Sequence, residues 1–242
     1  MSGFFYNLGR QIGRKAVPAI RRSKWIYDGL AGTDEEALRA EMALGKELAS
    51  ELRQTIQPLH DQDLVAIVEG IVQRLAKSLR DQRRTFSIEL FHDSSPNAMA
   101  LPGGFLFLSD SLAGFCDRDP DELAFVIGHE MAHVIRKHAW DRMLNEAALR
   151  VASTVTSRLG RIGGWLRQEG ITLLRSAHAR KSELEADEFG FRLAAAAAYQ
   201  TDGAIAFLQR VGRNLSQGPL GHYLESHPPP AERLARLRRM MS

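Results

Sequence analysis

Asp119-Pro120-Asp121-Glu122-Leu123-Ala124-Phe125-Val126-Ile127-Gly128-His129-Glu130-Met131-Ala132-His133 is the stretch around which the rest of the chain arranges itself. Asp119 stands where a helix N-cap belongs, Pro120 suits the first helical position, and Glu122 completes a capping signature. The apolar run that follows predicts a helix from about Pro120 past Trp140. Within it, His129 and His133 sit at i and i+4. These positions differ by only about 40° around a helix axis, so both imidazoles leave one face and can share one ion. Glu130 is turned by about 100°, close enough to reach a metal-bound water from the side. This is the H-E-x-x-H arrangement, two nitrogen ligands for zinc with a base beside them.

Two histidines leave a catalytic ion short of ligands, so a third is expected downstream. The extension that needs Gly at 136 and His at 139 is absent, because Arg136 and Ala139 stand there. His138 lies about 180° from His129 on the same predicted helix and faces away. The better candidate is Glu183, in a helix predicted from about Leu173 to Tyr199. Glu183 and Asp187 form another i, i+4 pair on one face. Glu183 can ligate the ion. Asp187 can hydrogen-bond the free nitrogen of a ligating histidine and fix its tautomer. Glu185 points elsewhere and is expected in solvent.

Working outward, Thr33 and Glu36 form a capping box that opens a helix to about Gln57, stopped near Pro58. A second helix is expected from about Asp63 to Arg80, with Leu64, Ile67, Val68, Ile71, Val72 and Leu75 on one face. The period then changes. Thr85 to Phe91 alternates and reads as a strand, Asn97 to Leu101 as a second and Phe105 to Leu108 as a third. Pro102-Gly103-Gly104 between the last two supplies the fixed and the permissive φ of a tight turn. The expectation is a small antiparallel sheet between helices. After the central helix a further helical region should end near Gly160, before a Gly-rich loop over 160–170. Another helix follows a break near Gly203 and runs to about Arg213. Gly218 to Pro230 reads as a loop, and a short basic helix closes the chain. The fold class is α+β and mainly helical. The domain reading is a basic arm over 1–30 and one domain over 31–242.

Four segments together resemble the gluzincin zinc metallopeptidases of the CAAX prenyl protease and HtpX-like type. They are Asn97-Ala98-Met99-Ala100-Leu101-Pro102-Gly103-Gly104, the His129 to His133 motif, Arg180 through Asp187, and His227-Pro228 followed by Arg233. They occur in the family's order and reach across more than half of the chain. The resemblance implies a zincin-like metallopeptidase domain with zinc ligands His129, His133 and Glu183, and Glu130 as general base. It also implies that the strand at Asn97, Ala98 and Met99 borders the cleft and pairs with an extended polypeptide substrate. Such pairing agrees with the unpaired backbone groups of a sheet edge. Arg233 becomes a structural or active-site partner near the C-terminus. The membrane-spanning helices of many relatives are missing, so the chain is similar to the soluble or peripheral members.

Peptide hydrolysis also needs a donor for the tetrahedral oxyanion. His227 and Tyr223, in the loop before the Arg233 helix, are candidates. His227 can instead serve as a fourth zinc ligand that holds the enzyme latent, or simply pack against Pro228. The expected function is a zinc-dependent endopeptidase for unfolded or damaged proteins. The alternative is a zinc-stabilised, chaperone-like binding module with little turnover, against which the intact Glu130 argues. A membrane-surface adaptor explains none of the four motifs.

Composition sets the outer bounds. The chain has 242 residues, is 44% hydrophobic and 25% charged, and carries a net charge of +3, within the globular range and with no call for a nucleic-acid partner. One cysteine, Cys116, excludes an intrachain disulfide and fits a reducing compartment. No run of about 18 apolar residues predicts a transmembrane helix, and Phe4-Phe5-Tyr6 is too short for the core of a signal peptide. A cytoplasmic location follows as the expectation. Residues 1–27 hold six bases and no acid. With Phe4, Phe5, Leu8, Ile12 and Val17 at roughly helical spacing, this arm can lie on an anionic membrane surface. It can also pack on the body of the protein or act as an organellar presequence.

Overall fold

Side-chain caps start four of the described helices. The Thr33 hydroxyl accepts from the Glu36 N–H while the Glu36 carboxylate accepts from the Thr33 N–H. Asp61 accepts from Leu64, Ser109 from Leu112, and Asp119 from both Asp121 and Glu122. These acceptors satisfy N–H groups that a first helical turn leaves without partners. The computed structural model describes residues 28–29, 32–153, 180–214, 227 and 229–241. In chain order its elements are α1 (Asp34–Arg53), β1 (Gln57–Pro58), α2 (Gln62–Lys77), β2 (Ser87–His92), β3 (Ala98–Leu101), β4 (Phe105–Ser109), α3 (Asp110–Phe115), α4 (Pro120–Ile135), α5 (His138–Ser153), α6 (Arg180–Ala196), α7 (Asp202–Arg213) and α8 (Pro230–Met241). The class is α+β and mainly helical, as expected.

The chain divides into two units. The first takes residues 1–55, 101–103 and 137–175. In it α1 buries Ala37, Ala40, Leu44, Leu48 and Leu52, and α5 buries Trp140 and Met143. The buried Glu41 carboxylate accepts the Gly103 N–H at 3.1 Å. The second unit takes residues 56–100, 104–136 and 176–242. It carries the sheet, in the order β1-β2-β4-β3, and the remaining helices.

The sheet differs from expectation in one respect. β1 and β2 are antiparallel, but β2 and β4 run parallel, from Ser87 opposite Phe105 to Phe91 opposite Ser109. β3 and β4 are neighbours joined by a three-residue turn, which only antiparallel strands allow. The central place of β4 follows from burial. Leu106, Phe107 and Leu108 are all buried, so β4 needs a partner on each edge. β3, with the small residues Ala98 and Ala100, is left outermost. Gly103 and Gly104 have φ of 82° and 97°, as the Pro-Gly-Gly reading requires.

Two short elements, β1 and α3, were not expected. The central helix is also shorter than its apolar run suggests. It stops at Ile135, where the Arg136 N–H bonds back to Ala132 and Lys137 adopts a left-handed φ of 58°. His138 therefore opens a separate helix in the other unit. α4 is buried from Glu122 to Val134 and packs against α2, α6, α7 and β4. Gly203, expected at a break, lies inside the first turn of α7. A Cβ there would come within 2.5 Å of the Asp121 backbone, so glycine permits the close start of α7 on α4.

Among the described residues no helix is long and apolar enough to cross a membrane. The arm at 1–27, the stretch at 160–170 and Tyr223 lie outside the described residues.

Candidate functional site

α4 and α6 pack against each other more extensively than any other pair of elements. Their contact brings together residues far apart in sequence, all within the second unit. His129 and His133 leave α4 on one face, as the four-residue spacing requires. Glu183 faces them from α6, and His227 approaches from the segment before α8. One ligand atom from each of these four residues lies within 4.8 Å of the other three, and all four residues are buried. Glu130 is buried beside them.

The separations suit a shared cation. His129 Nε2 and His133 Nε2 are 3.1 Å apart, and Glu183 oxygens lie 3.5 Å from the first and 3.2 Å from the second. Ligands bonded to zinc at about 2.0–2.1 Å in a tetrahedron stand about 3.3 Å from one another. Glu183 Oε1 is also a buried oxygen that accepts no hydrogen bond, although His133 Nε2 stands 3.2 Å away. A buried carboxylate oxygen normally has a partner, and a cation between the two imidazoles would supply one. The donor set therefore fits a metal.

Behind the cluster, the Arg233 guanidinium donates twice to Asp187, Nε to Oδ2 at 2.7 Å and Nη2 to Oδ1 at 2.8 Å. Asp187 Oδ1 in turn lies 2.9 Å from His129 Nδ1. With an ionised Asp187, Nδ1 is the donor and carries the proton. The Nε2 lone pair of a neutral ring is then left pointing at His133 and Glu183. Arg233 and Asp187 are each only 1% exposed.

Electrostatics follow from that geometry. Burial opposes charge on Asp187, but Arg233 and His129 overcome it and hold its pKa down to about 2. Burial opposes charge on Glu183 too, yet His227, His129 and His133 hold its carboxyl well below the usual carboxylate range. For His129, burial disfavours the cation, and the Asp187 and Glu183 carboxylates outweigh it, raising the pKa to about 9. The centre of the cluster thus favours positive charge. Glu130 goes the other way. Burial raises its pKa, and His227 and His129 offset only part of that.

The remaining candidates fall as follows. His227 is 3% exposed, with Nδ1 2.6 Å from Glu183 Oε2 and Nε2 3.9 Å from Glu130 Oε1. Asn97 precedes the edge strand β3, and its backbone is engaged with Ser109. Ala98 is buried and Met99 half-buried on that strand. Glu185, expected in solvent, is half-buried and pairs with Arg136 at 3.1 Å. Ligand spacing does not single out Gly128 and Gly190, where α4 and α6 meet backbone to backbone. Gly190 sits seven residues after Glu183, on the face that carries Asp187. That periodicity was the available signal.

The chain is 26% identical over 159 residues to mitochondrial metalloendopeptidase OMA1 of Schizosaccharomyces pombe, covering 63% of this chain and 45% of that protein. It is 27% identical over 214 residues to the beta-barrel assembly-enhancing protease of Yersinia pestis, covering 81% and 42%. It is 25% identical over 235 residues to the Arabidopsis thaliana OMA1, covering 90% and 48%. The chain spans less than half the length of each of these relatives. The model of peptidase family M48 matches residues 59–241, a span that holds the whole cluster with its Arg233 and Asp187 support, and the chain belongs to that family of metallopeptidases.

Proposed function

We propose that the chain is a zinc-dependent endopeptidase acting on extended, unfolded segments of polypeptide, with Glu130 as the general base. The observation that carries this reading is the convergence of His129, His133 and Glu183 at ligand spacing, with Glu183 Oε1 buried and accepting no hydrogen bond and Glu130 buried alongside. Two imidazoles and a carboxylate are a donor set that zinc favours in hydrolases. A zinc ion held there would supply Lewis acidity to a water and to the scissile carbonyl.

The chain's own residues do the rest. Glu130 takes the proton of the attacking water and delivers it to the leaving amine. A carboxyl whose pKa burial raises is suited to hold that proton between the two steps. Asp187 and Arg233 keep His129 in one tautomer and one orientation. β3, outermost in the sheet, offers main-chain groups to an extended substrate. No structured substrate is needed for that pairing, which favours unfolded segments.

His227 has two roles open to it, and the contacts support both. Next to Glu130 it can donate to the oxyanion. As a fourth ligand within the 4.8 Å cluster it can instead occupy the position a water needs and hold the enzyme latent. His227→Ala separates them by sign. A fall of about 10²-fold in kcat is expected of an oxyanion donor; a rise above wild type identifies the latch.

The test of the main reading is chelation. Wild type is expected to bind one zinc per chain and to cleave casein. Chelator should abolish cleavage, and stoichiometric zinc should restore it. Zinc binding without cleavage would instead support the binding-module alternative or the His227-latched state, which cleavage by His227→Ala separates. Cleavage that survives complete removal of metal would overturn the reading.

A further inference from the structure

We infer that Gly190 is a positioning residue for the metal site: the bare crossing of α6 on α4 at Gly190 and Gly128 sets the distance at which Glu183 meets His129 and His133. The inference rests on the proposed role of those three residues as ligands. Both glycines have ordinary backbone φ, so conformational freedom does not explain them.

The close approach does. A Cβ on Gly190 would stand 2.7 Å from the His129 backbone nitrogen, 2.9 Å from the Gly128 carbonyl carbon and 3.0 Å from the His129 Cα. All three are backbone atoms of α4, so no side chain can swing aside. Ordinary contact begins at 3.4 Å, and 3.4 less 2.7 leaves a separation of α6 from α4 of about 0.7 Å. A metal site tolerates ligand distances within only about 0.2 Å. The displacement that one methyl group demands is therefore several times what the cluster can absorb. It also acts at His129 itself, one of the residues whose spacing matters. On α6, Glu183, Asp187 and Gly190 share one face, so a shift at Gly190 carries the carboxylates with it. From the other side, a Cβ on Gly128 would stand 3.1 Å from the Gly190 carbonyl oxygen, which requires a shift of about 0.3 Å by the same subtraction.

Gly203 provides the control. Its Cβ would meet the Asp121 backbone at 2.5 Å, a tighter clash on the same helix α4 but at the opposite end from the histidines. A merely structural glycine should behave like Gly203: its substitution lowers stability and leaves the metal geometry alone.

The experiment measures zinc affinity by competition with a chromophoric chelator, and the visible spectrum of the cobalt(II)-substituted protein. Melting temperatures of the zinc-stripped chains are recorded beside them. Gly190→Ala is expected to weaken zinc binding at least 10-fold and to alter the cobalt bands. Gly128→Ala should do so by a smaller factor. Gly203→Ala should melt lower yet bind zinc within about threefold of wild type. If Gly190→Ala does not fold, the milder Gly128→Ala against Gly203→Ala decides the matter. Wild-type affinity and unchanged cobalt bands in the folded member of the 128/190 pair would overturn the inference, as would equal loss in Gly203→Ala. Failure of the underlying reading looks different: His129→Ala would then bind zinc as tightly as wild type.

Discussion

Glu130→Gln is expected to lower kcat on casein by about 10²–10⁴-fold, the range that a positioned general acid–base group contributes, while one zinc per chain remains bound. The amide keeps the size of the carboxylate and loses its basicity. Retained metal follows from the cluster, where Glu130 is not among the four residues with ligand atoms in mutual reach. KM should change much less than kcat, because the proton moves only during the chemical step. Stability should not fall either. Burial raises the folded pKa of Glu130 above its ordinary value of 4.5, so its ionised form is disfavoured in the folded chain. The penalty is present wherever the unfolded carboxyl is ionised, at pH above about 4.5, and a neutral side chain escapes it. The zinc-stripped Glu130→Gln chain should thus melt no lower than zinc-stripped wild type near pH 7. Equal cleavage by both proteins would remove Glu130 from the mechanism. Loss of zinc together with activity would show instead that it supports the metal.

The same residues show why parts of this protein were legible in its sequence and others were not. Asp119, Pro120 and Glu122 announced α4 because a cap acts through groups two and three residues away. The pairs His129–His133 and Glu183–Asp187 were legible because helical spacing fixes their faces whatever surrounds the helix. That Glu183 meets the histidines needed only one further assumption, that the ion wants a third ligand.

What was missed depends on long-range contacts. β1 is two residues long and exists only by its register with His92 and Phe91, so Gln57 and Pro58 carry no strand signal of their own. The parallel pairing of β2 with β4 is a property of the whole sheet, and the alternation of Phe86, Ile88 and Leu90 is the same in either orientation. Lys137 ends the central helix in a left-handed conformation that its type does not advertise. Gly128 and Gly190 read as weak points in helices until the two are seen to face each other. Arg233 came from the family resemblance, because a bidentate bond across 46 residues to Asp187 has no local trace.

That bond supports the second large effect. Arg233→Ala is expected to lower stability by about 3–5 kcal/mol at neutral pH, because it strands a buried carboxylate rather than merely deleting a contact. In a domain of this size each kcal/mol shifts Tm by about 2–4 °C, so a fall of about 6–20 °C should be seen. Arg233→Lys should recover only part of it, since an ammonium cannot span both oxygens of Asp187 as the guanidinium does. The pH dependence carries a definite sign. Asp187 is held down to about 2 from an ordinary 3.8, so its stabilising contribution is complete above about pH 4 and disappears as pH falls toward 2. That lowering corresponds to roughly 2–3 kcal/mol. Without Arg233 the carboxyl should titrate higher, and protonating it relieves the stranded charge. The gap in Tm between wild type and Arg233→Ala should therefore be widest near pH 7 and shrink below pH 4. Zinc affinity should fall as well, by about 10–100-fold, because Asp187 would no longer be fixed against His129 Nδ1. A variant that melts within about 2 °C of wild type at pH 7 and binds zinc as tightly would show that Arg233 neither braces Asp187 nor orients His129 through it.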